Sequence, residues 1–269
     1  MNRAVLHAAL AAGAVLTLFP LFWMLSASFM STGEATTFPP HLLPHAATLD
    51  QYRQLFVRLN LGRAFLSSFI IAAIVTVGSV LFSSMAGYAF AKLRFPGRQR
   101  LFGILLVALV IPPQVGMLPL FLFMKQLGLV NTYWGVIIPS LATVFGIFLI
   151  RQFMLTVPQE LLEAARLDGA SELRIYWSVV LPLARPILAT LATFMFMSTW
   201  NDFMWPLIIL SGQEHHTLPV AIANLVGEHV QDVELMMASS VVTVLPVLLL
   251  FVVLQRYYIA GIMAGSVKG

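Results

Sequence analysis

Long apolar runs alternate with short polar segments along the chain. Each of six runs is roughly 20 residues or longer, the length that a helix needs to cross a hydrocarbon core about 30 Å thick. The runs are residues 6–25, 64–90, 101–123, 133–153, 183–210 and 235–254. This pattern predicts an all-α polytopic membrane protein with six transmembrane helices.

The first run has a second interpretation. Arg3 precedes it, and Ser26-Ala27-Ser28 resembles a small-residue signal-peptide cleavage site. The apolar core of a signal peptide is usually 7–15 residues long, which is shorter than this run. We therefore favour a retained first helix.

Prolines and small residues mark two of the runs. Pro112-Pro113 interrupts the third run, which predicts either a kink or a broken helix lining a solute path. The second run holds many serines and glycines, among them Ser67, Ser84 and Gly87. Such residues serve close helix packing, with a polar pore lining as the alternative.

The fifth run contains Asp202, an acidic residue embedded in apolar sequence. A carboxylate inside a membrane is costly and is therefore a functional candidate. Asp202 also lies about 30 Å along a helix counted from Pro182. It could accordingly be an interfacial residue in an aromatic belt formed by Trp200 and Trp205. Both interpretations stay open.

Composition narrows the function class. The chain is 59% hydrophobic and 10% charged, with a mean hydropathy of +0.91, which excludes an ordinary soluble protein. A nucleic-acid partner is therefore not expected despite the high pI. The absence of cysteine excludes disulfides and thiolate metal sites. The histidines His41, His45 and His215-His216 read as loop residues rather than metal ligands.

Known catalytic motifs are also missing from the sequence. It contains no Gly-x-x-x-x-Gly-Lys-Ser/Thr phosphate-binding loop, no Gly-x-Ser-x-Gly and no His-Glu-x-x-His. We therefore expect no catalytic residue, no metal, no cofactor and no ATP hydrolysis by this chain.

The most charged interruption lies between the fourth and fifth runs. The chain has 15 Lys and Arg and 11 Asp and Glu, and six of these charged residues fall within residues 160–174. Thr156, followed by Pro158 and Gln159, predicts the cap of a short helix. Gly169 should end this helix in the left-handed conformation, and Ser171 should cap the next one. Ala164 and Ala165 predict one flat flank for another protein, and a solvated loop is the alternative.

This segment resembles the coupling loop of type I ABC importer permeases. The resemblance rests on Glu163-Ala164-Ala165, Asp168-Gly169-Ala170 and Leu181-Pro182-Leu183. In that family the loop, here residues 156–182, docks into a groove on an ATPase subunit. The coupling residues that it implies are Glu163, Ala164, Ala165, Asp168, Gly169, Ala170 and Pro182.

Other segments resemble the carbohydrate, maltose-type branch of these permeases. They include Phe38-Pro39-Pro40, Phe95-Pro96-Gly97-Arg98 and Trp200-Asn201-Asp202-Phe203. The resemblance implies that Trp200, Asn201 and Asp202 face the translocation path. It also implies that the tail contacts the ATPases through Gly265, Lys268 and Gly269.

The resemblance also implies a domain plan. Residues 1–62 would form the first transmembrane helix and an outer loop, and residues 63–258 the permease core. Residues 259–269 would be a cytoplasmic tail.

The implied function is that of a permease subunit of an ATP-driven, binding-protein-dependent importer in the cell inner membrane. It would move a sugar or oligosaccharide by alternating access. Its partners would be two copies of an ATPase, a second homologous permease and an extracytoplasmic solute-binding protein. The main alternative is a stand-alone proton-coupled carrier that uses Asp202; a membrane-embedded enzyme and a structural scaffold are weaker ones.

Charge asymmetry predicts the orientation without the family. Eleven of the 15 Lys and Arg fall in the N-terminus, residues 92–100, residues 151–185 and the C-terminal tail. The opposite set of loops holds the other four. The positive-inside rule therefore predicts that both termini and the charged segment are cytoplasmic.

Overall fold

Helices and their connecting loops make up the described part of the chain. The computed structural model describes residues 3–58, 60–228 and 232–266. The helices are α1 Arg3–Ala27, α2 Asp50–Arg58, α3 Leu61–Lys92, α4 Arg98–Ala108, α5 Pro113–Gln126, α6 Tyr133–Ser140, α7 Val144–Thr156, α8 Gln159–Leu167, α9 Glu172–Ile175, α10 Leu181–Leu183, α11 Arg185–Trp200, α12 Met204–Ile209, α13 Leu218–Glu228 and α14 Val233–Ser266. A π-helical turn, Tyr176–Val180, joins α9 to α10, and Gln213–His215 form a 3₁₀ turn.

Up to six of these segments can span a membrane. Four unbent candidates are α1, α3, Tyr133–Thr156 and Val233–Val253. Two further candidates are bent pairs: α4 with α5, bent by 103°, and Glu172–Leu183 with α11, bent by 81°. Counting each pair as one span gives the predicted six.

The third and fifth runs are not single helices. α4 ends at Ala108 and α5 starts at Pro113, so Pro112-Pro113 produces a break rather than a kink. Proline supplies no amide donor and disfavours helical geometry in the residue before it. The prediction of one helix over 183–210 is wrong, because the chain bends at Ala184 and leaves the helix again after Trp200.

Two segments predicted as polar loops contain helices. The segment 31–63 includes α2, whose Gln51 and Leu55 are buried, and α3 already begins at Leu61. The segment 211–234 includes α13, whose Leu218 and Leu225 are buried. Both helices are too short to produce a membrane-length apolar run, so their tertiary contacts stabilise them.

The chain divides into two compact units. The first contains the described residues of 3–65 and 217–248. Its small core is Ala27, Met30 and Ala35. The buried carboxylate of Glu234 accepts the Ala35 amide at 2.6 Å, which fixes this turn to the start of α14. In the loop, a hydrogen bond from the His45 amide lowers the pKa of Glu34.

The second unit contains residues 66–216 and the described end of α14. Its main core gathers buried residues of α3, α7, α8, the π-helical turn and α11. The serines of α3 serve packing within this unit: Ser67 and Ser84 are buried and hydrogen-bond Tyr133 and Tyr176. At Gly87 a Cβ atom would lie 2.7 Å from Ile150, so only glycine allows α3 and α7 this close.

Candidate functional site

The charged segment forms a helix, a tight turn and a second helix, as predicted. The first helix is α8, and Pro158 precedes it without a side-chain cap. The prediction that Thr156 caps α8 is wrong. Thr156 is the last residue of α7, and its hydroxyl donates to the Phe153 carbonyl at 2.8 Å. Glu160 in the first turn of α8 instead supplies favourable charge at the helix N-terminus.

The turn after α8 is a Schellman motif built on Gly169. Gly169 has φ +79°, as the sequence predicted. The Ala170 amide donates to the Ala165 carbonyl and the Gly169 amide to the Arg166 carbonyl, both at 3.0 Å. Ser171 then accepts the Arg174 amide at 3.4 Å and caps α9. The turn therefore fixes the direction of α9 relative to α8.

The two alanines of the loop face different ways. Ala165 packs against the main core beside the fully buried Leu162, whereas Ala164 is exposed. The expectation of one flat flank made by both alanines is therefore corrected. The outward face of α8 carries Glu163, Ala164 and Leu167, and Leu167 is 90% exposed. Leu167 is thus a highly exposed apolar side chain among acidic residues, and such a surface suits contact with a partner protein.

A network of side chains anchors this segment to α3. Arg166 Nε donates to Glu172 Oε1 at 2.6 Å, which joins α8 to α9. The buried Tyr88 of α3 donates its hydroxyl to Glu172 Oε2 at 2.8 Å. Four residues later on α3, Lys92 Nζ donates to the Val157 carbonyl at 2.6 Å. We call Tyr88, Lys92, Arg166 and Glu172 the anchor.

The ion pair of the anchor, Arg166 with Glu172, stays charged at physiological pH, because Arg166 lowers the pKa of Glu172. Hydrogen bonding to Glu172 raises the pKa of Arg166 above its already high value.

The sequence did not indicate Tyr88 or Lys92, because both lie far from the loop along the chain. Their only local signal is a polar group at the end of an apolar run.

Pro182 lies just beyond a π-helical turn. The Leu181 amide bonds to the Tyr176 carbonyl five residues back, which is the π-helical pattern. Pro182 supplies no amide to continue the helix, and the chain bends by 81° at Ala184. Pro182 therefore shapes the connection between the charged segment and α11.

The candidate path residues lie at the break after α11. Trp200 is fully buried and stacks on Phe196 with a ring separation of 5.7 Å. Asn201 is exposed, and its side-chain amide donates to the Met197 carbonyl at 2.9 Å. Asp202 is partly buried, and its carboxylate faces the Trp205 amide at 3.5 Å, near the start of α12.

The residues around this break are held by contacts that the sequence did not indicate. Trp205 is buried and donates its indole N–H to the Gly135 carbonyl at 3.1 Å. Asn131 accepts the Gly212 amide at 2.8 Å. The aromatic-belt interpretation does not fit, because Trp200 and Trp205 both pack inside the protein.

The remaining predicted residues are placed as follows. Gly265 lies in α14, whereas Lys268 and Gly269 fall outside the described residues. Within the described ranges there is no group of three metal-ligating side chains.

Comparison with known proteins decides the class. Residues 79–263, more than half of the chain, match the family described as "Binding-protein-dependent transport system inner membrane component". The chain belongs to this family. This permease is therefore a transport subunit and not an enzyme.

Individual relatives extend the match to nearly the whole chain. The permease is 39% identical to the arabinooligosaccharides transport system permease protein AraQ of Halalkalibacterium halodurans, over 95% of this chain and 93% of the relative. It is 29% identical to the sn-glycerol-3-phosphate transport system permease protein UgpE of Brucella abortus, over 95% and 94%.

A solved structure supports the fold. The permease matches a chain in the crystal structure of a bacterial ABC transporter involved in the import of the acidic polysaccharide alginate. The TM-score is 0.81 with 28% identity, covering 95% of both chains. The predicted type I ABC importer fold and the multi-pass membrane location are thereby confirmed.

Proposed function

We propose that this permease is one membrane subunit of an ATP-driven importer for an oligosaccharide and works by alternating access. The observation that carries the proposal is the charged segment 159–175, which presents an outward face on one side and is anchored to α3 on the other. A segment built this way can receive a movement from a partner and pass it to a membrane helix.

The outward face is suited to an ATPase subunit. Glu163, Ala164 and Leu167 combine charge, a small side chain and exposed apolar surface on one side of α8. Asp168, Gly169 and Ala170 make the rigid turn behind it. We propose that α8 lies in a groove of the ATPase and that Pro182 sets the angle of the connection to α11.

The anchor would transmit a movement of α8 to the membrane helix α3. Closure of an ATPase dimer that moves α8 would move Glu172 through Arg166, and α3 through Tyr88. ATP then drives transport by stabilising one conformation of the pore over the other. In this mechanism Asp202 carries no proton. The alternative, a proton-coupled carrier, requires Asp202 to carry one.

The proposed partners, orientation and domain limits are those of an ATP-driven importer. The pore would be completed by a second, related permease, and a solute-binding protein would deliver the substrate outside. Both termini and the coupling segment would be cytoplasmic, with residues 259–269 as a tail reaching the ATPases through Gly265, Lys268 and Gly269. The proposed domain limits remain 1–62, 63–258 and 259–269.

The substrate class rests on the relatives. AraQ is named for arabinooligosaccharides, and the matched structure for an acidic polysaccharide. Asn201 is exposed at the break after α11 and can hydrogen-bond a sugar hydroxyl. Trp200 would support this position from inside the protein, and Asp202 would hold the start of α12 beside it.

The test begins with a tagged chain purified in mild detergent from its own host, with the partners identified by mass spectrometry. We expect an ATPase and a second permease. The complex, reconstituted in liposomes with its binding protein, should take up oligosaccharide only with ATP on the ATPase side. A protonophore should leave this uptake unchanged.

Two results would contradict the proposal. One is recovery of the chain without an ATPase, together with uptake that follows the proton gradient. The other is an ATP-driven complex that takes up glycerol phosphate and no oligosaccharide, which would retain the importer and replace the substrate.

A further inference from the structure

The loop between α3 and α4 forms a basic pocket that the transport mechanism does not use. The pocket has a volume of about 590 Å³. It is lined by Arg94, Phe95, Gly97, Arg98, Gln99 and Arg100. It lies at the end of α3 and the start of α4, where two apolar segments meet a polar loop.

Three arginines line this pocket, and Arg94 also borders a second pocket that Glu163 and Glu172 line. Arg94 and Arg100 are exposed, and Arg98 donates to the Leu93 carbonyl at 2.7 Å. None of the three makes an ion pair with a described residue. The sequence has no acidic residue between Asp50 and Glu160. Three cations concentrated in one loop therefore suit an anion supplied from outside the chain.

Directly after the pocket residue Arg100, α4 exposes an apolar face. Leu101, Ile104 and Val107 follow one another at three-residue spacing and are 50%, 67% and 65% exposed. An occupant that fits the whole surface thus carries an anionic group at one end and a hydrocarbon chain at the other.

We infer that this surface binds an anionic phospholipid, with its phosphate among Arg94, Arg98 and Arg100 and an acyl chain along α4. Guanidinium groups match phosphate oxygens with paired hydrogen bonds, and basic pockets beside membrane helices hold acidic headgroups. An acidic protein surface would neutralise the arginines but leave the α4 face uncovered. The inference does not depend on which solute is transported.

The test is native mass spectrometry of the full-length permease titrated with phosphatidylglycerol or phosphatidylcholine. The variant is Arg94→Gln/Arg100→Gln, which removes two exposed charges and keeps the Arg98 contact to Leu93. Each arginine near a membrane surface changes lipid affinity about fivefold, so we expect phosphatidylglycerol binding to weaken roughly 25-fold. Phosphatidylcholine binding should not change.

The matched control is Arg53→Gln/Arg185→Gln, which removes the same charge from two exposed sites outside the pocket. It should bind phosphatidylglycerol like the parent chain. Arg94→Lys/Arg100→Lys should retain most of the binding, and normal elution in gel filtration checks folding. Equal lipid loss in the control, or no loss in the Gln variant, would overturn the inference. So would binding of soluble glycerol phosphate as tight as that of the lipid.

Discussion

Two polar interruptions between apolar helices are built in opposite ways. One is the charged segment 159–175, which we propose as the coupling segment, and the other is the break after α11. In the coupling segment, Glu163 and Leu167 face outward while Leu162 and Glu172 hold the segment from behind. At the break, Asn201 alone of the three candidate residues is exposed. Trp200 is buried and Asp202 faces an amide of the next helix.

This difference separates two kinds of functional surface. A segment that must engage a partner keeps its outward face free and anchors the opposite face to the core. A segment that meets a small solute needs only one or two exposed polar groups on a rigid support. Substitutions in the two regions test this distinction, and the largest effect is expected at Gly169.

Replacing Gly169 with valine should abolish most of the uptake. No atom lies within 4 Å of the position of a new Cβ, so the cost comes from the backbone at φ +79°. A β-branched residue is a strong outlier there, and we expect a loss of roughly tenfold or more. Uptake is measured in cells with matched amounts of membrane-inserted protein.

Gly169→Asn is the control, because asparagine tolerates the left-handed region and should retain most of the activity. Normal uptake by the valine variant at normal protein levels would remove the turn from the coupling mechanism.

Tyr88→Phe should uncouple ATP hydrolysis from transport. The variant keeps the ring and removes the hydroxyl that donates to Glu172. A hydrogen bond to a charged group contributes about 1.5–3 kcal/mol, which is about tenfold or more in an equilibrium constant. Because Lys92 still holds the Val157 carbonyl, we expect the transport-to-hydrolysis ratio to fall severalfold. The readout is solute moved per ATP hydrolysed in proteoliposomes, which a general loss of folded protein would not change.

The matched control is Tyr52→Phe. Tyr52 is half-buried and its hydroxyl hydrogen-bonds Ser28 at 2.8 Å, and neither residue belongs to α3 or to the charged segment. An equal fall in the transport-to-hydrolysis ratio for both variants would show that Tyr88 has no special part in coupling.

Asn201→Ala should raise the KM for uptake about fivefold, the equivalent of one net hydrogen bond of about 1 kcal/mol. Asp202→Asn should have a smaller effect, because the amide oxygen can still accept the Trp205 N–H. The initial rate of uptake over a range of substrate concentrations distinguishes the two. Unchanged KM and rate in both variants would show that the solute path avoids this break.

The sequence predicted features that depend on neighbouring residues. Six apolar runs, the glycine-ended turn after α8 and the Ser171 cap all follow from local patterns, and the structure contains them. The Thr156 cap was the wrong local choice because α7 extends to this residue. The short helices α2 and α13 were missed because their burial depends on contacts with distant segments.

The anchor could not be predicted from local patterns. Tyr88 and Glu172 are 84 positions apart, and neither residue signals its partner. The same holds for Asn131 and Gly212, which lie 81 positions apart. The charge pattern located the coupling segment in the sequence, but only the folded chain shows which helix it holds.

α3 is a single uninterrupted helix that makes side-chain hydrogen bonds near both of its ends. Near one end Tyr88 is tied to Glu172, and about 30 Å away Ser67 is tied to Tyr133 of α6 at 2.6 Å. α3 has no break between these two contacts, whereas the pairs α4–α5 and α10–α11 are bent by 103° and 81°. If α3 moves as one body, as the proposed mechanism requires, a rotation that begins beside Tyr88 would also displace Ser67 and its partner Tyr133.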